Sequence, residues 1–176
     1  MRAYVLWLST LLAAAPALAA EQSDSRQHPA HEHGIARLDV TLEGGVLQIA
    51  LDGPADNFLG FEHAPRTDAQ KQTVARVEQQ LRQSTQLFAP PAAAGCQAQA
   101  PQVEIKLPPP GSQETHSEIE AEWRWQCAQP AALAHVDVGL FKSFPRLREL
   151  RVQVVGTRGQ ISAVLRPNAS RLKIAP

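Results

Sequence analysis

Residues 118–125 (EIEAEWRW) constrain this chain more than any other stretch. Ile119, Ala121, Trp123 and Trp125 alternate with Glu118, Glu120, Glu122 and Arg124, and a period of two sends the two sets to opposite sides of an extended strand. A strand of this kind needs a sheet with one dry face and one wet face. The two tryptophans then belong to the core rather than to a ligand platform. The strand, 117–127, ends at Cys127, and a second extended segment, 96–107, starts at Cys96. Between them lie PPPG at 108–111 and a polar tip, so the pair reads as a long hairpin whose outer ends a Cys96–Cys127 bridge would clamp.

Other segments repeat the hairpin theme. Residues 35–42 and 46–51 alternate around Glu43-Gly44-Gly45, and residues 150–155 and 160–165 flank Gly156-Thr157-Arg158-Gly159, both turn signals. One helix stands out over 68–84, with Val74, Val77, Leu81 and, loosely, Phe88 on one stripe. Thr67 and Gln70 supply a capping box at its start. Residues 52–65 (DGPADNFLGFEHAP) form a turn-rich loop whose Phe58, Leu59 and Phe61 pack on the core. A short strand at 136–138 and a helical turn at 140–144 complete the pattern. The fold class expected is α+β: a mostly antiparallel sheet of hairpins, one main amphipathic helix and one disulfide. A β-sandwich is the runner-up.

The amino terminus places the chain in a cell. Arg2 precedes an apolar stretch at 5–15 and the small-x-small residues Ala17-Leu18-Ala19. These are the marks of a secretory signal peptide over residues 1–19. The apolar run is shorter than the roughly 20 residues a membrane-spanning helix needs, so no span is expected after cleavage. Residues 20–32 read as a flexible, histidine-containing arm and 33–176 as a single domain. In an oxidising compartment two cysteines read as a disulfide, and the loop of about 30 residues is worth roughly 3–4 kcal/mol by chain entropy. A pair of thiolate metal ligands is the alternative.

Charge is balanced at 17 basic and 17 acidic residues, which argues against a nucleic-acid binder. It is unevenly spread: residues 20–122 carry 15 acids and 7 bases, residues 123–176 only 2 acids and 9 bases. Two solvated faces explain this, and so would a cation bound on one half and an acidic partner on the other.

Six histidines carry the chemistry. His28, His31 and His33 fall within six residues, with Glu32 among them. In an extended segment His31 and His33 share a side and can present both imidazoles to one ion. Carboxylates can complete a tetrahedral zinc site. His63, beside Glu62 in the aromatic loop, is the best source of further ligands. His116 at the hairpin tip, near Glu114 and Glu118, is an auxiliary candidate, and His135 reads as structural. Catalytic patterns are missing. The HEH spacing is not the HExxH of metalloproteases, and no nucleophile elbow, P-loop or dinucleotide fingerprint occurs, so an enzyme is not expected.

Five segments in order have a further meaning: HEHG at 31–34, LGFEHAPRTDAQ at 59–70, AAAGC at 92–96, VDVGLFKSFP at 136–145 and RELRVQVVGTRGQ at 148–160. Together they resemble the ZrgA family of bacterial periplasmic zinc-uptake proteins over almost the whole mature chain. The resemblance implies a periplasmic zinc-binding accessory protein for zinc uptake or buffering. Zinc is the expected ion, and components of an envelope metal-uptake system are the expected partners. An envelope adaptor in which metal is incidental is the alternative. By position it carries over His31, His33, Glu62 and His63. In similar proteins the two cysteines flank a long loop rich in histidine and acid, whereas 108–118 here (PPPGSQETHSE) keeps only His116.

Overall fold

A computed structural model describes residues 32–112, 116–157 and 159–174. The expected signal peptide and the arm up to residue 31, with His28 and His31, lie outside the described residues. The elements run β1 (Ile35–Glu43), β2 (Val46–Pro54), α1 (Asp56–Leu59), α2 (Asp68–Leu81), α3 (Ser84–Leu87), β3 (Phe88–Ala89), β4 (Cys96–Ala98), β5 (Gln102–Lys106), β6 (Glu118–Cys127), β7 (His135–Val138), α4 (Leu140–Ser143), β8 (Glu149–Gly156), β9 (Gly159–Leu165) and β10 (Arg171–Lys173).

Seven strands form one sheet in the order β4-β6-β2-β1-β8-β9, with β5 also paired to β6. Three more form a small sheet, β10-β7-β3. The expected hairpins are all present: β1 with β2, β5 with β6, and β8 with β9. Cys96 and Cys127 face each other in register and are bonded. The α+β class therefore holds. One pairing departs from the hairpin pattern, because β1 lies parallel to β8. Parallel neighbours need a long crossover, here everything from β2 to α4, and no local turn signal announces it.

One face of the large sheet is dry. Leu38, Val40, Leu47, Ile49, Leu51, Ile119, Trp123, Trp125, Leu150 and Val152 are buried and belong to one hydrophobic cluster. Val77 and Leu81 of α2 join it from the helix. Phe88 packs against both tryptophans, its ring 4.8 Å from Trp123 and 5.9 Å from Trp125. The helix begins as expected, with Thr67 and Gln70 exchanging both capping bonds. It ends three residues earlier than the periodicity suggests, at Leu81. The buried indole N–H of Trp123 donates to the Leu81 carbonyl at 2.7 Å, which satisfies one of the carbonyls a helix end leaves unpaired. Gln83 then leaves the helical region, and Phe88 reaches the core from a strand instead of the helix stripe.

One close approach explains a glycine in the sequence. Gly139, between β7 and α4, has room for no side chain: a Cβ would lie 2.4 Å from the Gln86 carbonyl oxygen. Its N–H donates to the Leu87 carbonyl, tying α4 to α3. In the small sheet Arg171 of β10 forms a two-point ion pair with Asp137 of β7, at 2.6 and 2.9 Å. That guanidinium holds the Asp137 carboxyl below the usual carboxylate range. Among the described residues no helix is long and apolar enough to cross a membrane.

Candidate metal centre

The loop expected at 52–65 is more ordered than its composition suggests. β2 runs through Pro54, and α1 makes one turn that buries Asn57, Phe58 and Leu59. The Phe58 ring meets Phe144 edge-on at 5.0 Å. The chain then leaves α1 through Gly60, in the left-handed region, and carries Phe61, Glu62 and His63 back across the start of β1.

There the structure brings together His33 and Glu62. His33 Nε2 stands 3.5 Å from Glu62 Oε2, and their side chains are 58% and 28% exposed. This separation is longer than an N–H···O hydrogen bond of about 2.7–3.2 Å. It matches two donors on one tetrahedral zinc, which at bond lengths of about 2.0–2.2 Å lie roughly 3.3–3.6 Å apart. Both groups are open enough for an ion to enter between them.

The other nitrogen of His33, Nδ1, lies 4.0 Å from Asp56 Oδ2. Asp56 is held in place by Arg146, whose Nη2 bonds both carboxylate oxygens at 2.8 and 2.9 Å and whose Nε bonds the Asp56 carbonyl at 3.0 Å. A carboxylate behind a ligating imidazole orients the ring and sets its tautomer, and Asp56 occupies that position with a small gap. His63 shows the same arrangement with a backbone acceptor. Its Nδ1 lies 2.8 Å from the Ala64 carbonyl oxygen, which can only accept, so Nδ1 carries the proton and Nε2 presents its lone pair. Its ring stacks on Phe61 at 5.1 Å.

The candidate ligands do not all converge. Among the described residues, Asp52, Glu118 and Glu120 are the one group of three or more His, Cys, Asp or Glu whose donor atoms all lie within 4.8 Å of one another. His63 is therefore a neighbour of the His33–Glu62 pair and not a third member of a closed set. His116 stands at the same end of the molecule. Ala55 N–H donates to the Ser117 carbonyl at 3.0 Å, which fastens the β5–β6 tip to the start of α1. His135 opens β7, in the small sheet.

The acidic trio, which the sequence did not single out, lies on the open face of the large sheet, where Asp52 and Glu120 are paired across β2 and β6. Two of the three, Asp52 and Glu120, border a groove of about 550 Å³ together with Arg37, Asp39, Glu104 and Glu122. Lys106 bonds Glu120 at 2.6 Å, and that bond raises the lysine above its ordinary value. An all-oxygen set suits hard cations better than zinc, and Glu120 already has a cation. The mixed nitrogen and oxygen pair is the better zinc candidate.

Two supporting residues also escaped the sequence reading. Asn57 is buried and bonds the Gly34 N–H and the Ile35 carbonyl. Arg148 bonds the His33 carbonyl at 3.3 Å and lies against Gly34. Nothing in the local pattern marks either residue, since both act on a segment more than twenty residues away.

The model of a family described as ZrgA family zinc uptake protein matches residues 30–174. No curated protein matches the chain.

Proposed function

The chain belongs to the ZrgA family of zinc uptake proteins, and from that premise we propose that it is a non-catalytic periplasmic protein that binds zinc in support of uptake or buffering. Zinc is cargo here, and His33 and Glu62 are its first two ligands. The observation that carries this reading is the 3.5 Å separation of His33 Nε2 and Glu62 Oε2. His63, with its Nε2 lone pair presented, and the histidines just before residue 32 are the nearest sources of further ligands. The apolar leader at 5–15 supports export to the periplasm. The β5–β6 tip, where similar proteins are expected to carry a longer histidine-rich loop, is fastened beside this pair through Ala55 and Ser117. With only His116 in that loop, this chain binds zinc stoichiometrically rather than in bulk.

The adaptor alternative relied on the basic carboxy-terminal half. Much of that charge has partners within the fold: Arg146 with Asp56, Arg151 with Glu32, Arg166 with Glu149 and Arg171 with Asp137. Less of it is left to attract an acidic partner, so zinc binding is the better-supported reading.

Zinc calorimetry on the oxidised mature chain tests it. The wild type takes up about one ion. His33→Ala and Glu62→Gln each weaken binding by at least about tenfold, and acidification to about pH 5 abolishes it, because zinc needs neutral imidazole. Equal affinity in the wild type and both variants would sink the reading.

A further inference from the structure

His33 is largely exposed, yet the backbone beneath it is held from below. Asn57 is 1% exposed. Its Oδ1 accepts the Gly34 N–H, and its Nδ2 donates to the Ile35 carbonyl at 2.7 Å. The amide therefore grips two successive residues of the main chain, Gly34 through its N–H and Ile35 through its carbonyl. Further contacts hold the same knuckle. Arg148 N–H and Glu149 N–H both donate to the Gly34 carbonyl, at 2.8 and 3.0 Å. Gly34 takes φ of +86°, a conformation that costs other residues strain.

Asn57 follows Asp56 in the single turn of α1. One residue thus faces the ring of His33, and the next fixes the main chain of the two residues that follow it, Gly34 and Ile35. Arg146 locks this turn in place through the Asp56 carboxylate and carbonyl. Glu62 reaches His33 only three residues after α1 ends, so both members of the pair are referred to one short turn.

We propose that Asn57 is a positioning residue for the metal pair, presetting His33 opposite Glu62 before any ion arrives. This rests on the zinc reading above and adds that the geometry is built by the fold rather than by the metal. Both amide ends of Asn57 are engaged with main chain, so it acts through His33. Outer residues that orient metal ligands typically account for about 10–100-fold in affinity, and that is the loss expected on removing the grip.

Two measurements test this. The first is hydrogen exchange of the Gly34 amide in the wild type, with and without zinc. A preset knuckle makes that amide slow in the zinc-free protein and little slower with zinc. Fast exchange without zinc, slowed only by the ion, overturns the proposal. The second is zinc calorimetry on Asn57→Asp, which keeps the acceptor for Gly34 and loses the donor to Ile35, beside Asn57→Ala and His33→Ala. Folding is followed by circular dichroism, and the ligand geometry by the visible spectrum of bound cobalt(II). A folded Asn57 variant is expected to lose about 10–100-fold in affinity, with an altered cobalt spectrum. If His33→Ala loses affinity while a folded Asn57 variant binds as the wild type does, the positioning role is wrong and the zinc reading stands. If His33→Ala binds as tightly as the wild type, the zinc reading itself falls. Should both Asn57 variants fail to fold, the exchange measurement decides alone.

Discussion

At the residue scale, the proposed site depends on atoms that would never touch an ion. Gly34 illustrates this. Its φ of +86° is open to other residues only at a cost, and an added Cβ would lie 2.6 Å from Arg148 Nε. The arginine end can swing away, but it then leaves the His33 carbonyl, and the backbone strain remains. Gly34→Ala is therefore expected to cost about 1–2 kcal/mol of stability and to weaken zinc binding as well. Urea denaturation read beside a zinc titration checks both. A variant as stable as the wild type would show that the turn tolerates a side chain. Of these details, His33, Glu62 and His63 could be named from residue type and spacing. Asp56, Asn57 and Arg146 could not, because an Asp-Asn pair in a turn-rich loop reads as turn chemistry until the distant partner is known.

At the element scale, helix α2 shows how local rules and tertiary demands divide. Its start is local: Thr67 accepts from the Gln70 N–H, and the Gln70 side chain bonds back to Thr67 N–H. Thr67→Ala removes the cap and should cost about 1 kcal/mol, read as a lower urea midpoint with an unchanged slope. No change would mean that packing by Val77 and Leu81 fixes the helix end unaided. Its finish is tertiary, since the Leu81 carbonyl is claimed by the Trp123 indole forty-two residues away. The same division holds for strands. β6 was readable from its alternation alone. β3 and β10, of two and three residues, are too short to show a period and exist because β7 lies between them.

At the scale of the whole molecule, one disulfide and one parallel pairing close the fold. The Cys96–Cys127 bond joins β4 to β6 at the edge of the large sheet and closes a loop with sequence separation 31. Removing it by Cys96→Ser with Cys127→Ser should cost roughly 3–4 kcal/mol, mostly by freeing the unfolded chain. The proposed metal pair belongs to the other end of β6, where Ala55 at the start of α1 bonds Ser117, so zinc affinity of the folded double variant should stay close to the wild type. Calorimetry below its melting temperature tests this. A large loss of affinity would show that the bond also shapes the site. The uneven charge distribution resolves at this scale too. Acid-rich early segments and base-rich late ones meet in ion pairs such as Asp56 with Arg146 and Glu32 with Arg151.

What the sequence alone determined is everything with a short period or a fixed local chemistry. That covers the wet and dry faces of β6, three hairpins, the capped start of α2, the cysteine pair, and histidine and acid as the candidate ligands. Those features depend on neighbours within a few residues, whose contacts follow from the geometry of a strand or a helix turn. Only the tertiary structure decided that β1 lies parallel to β8, that α2 stops at Leu81, and that Glu62 comes to His33 across the turn carrying Asp56 and Asn57. Each of these joins segments separated by tens to more than a hundred residues. Such pairings are selected by how the whole core packs, and no stretch of sequence encodes them by itself.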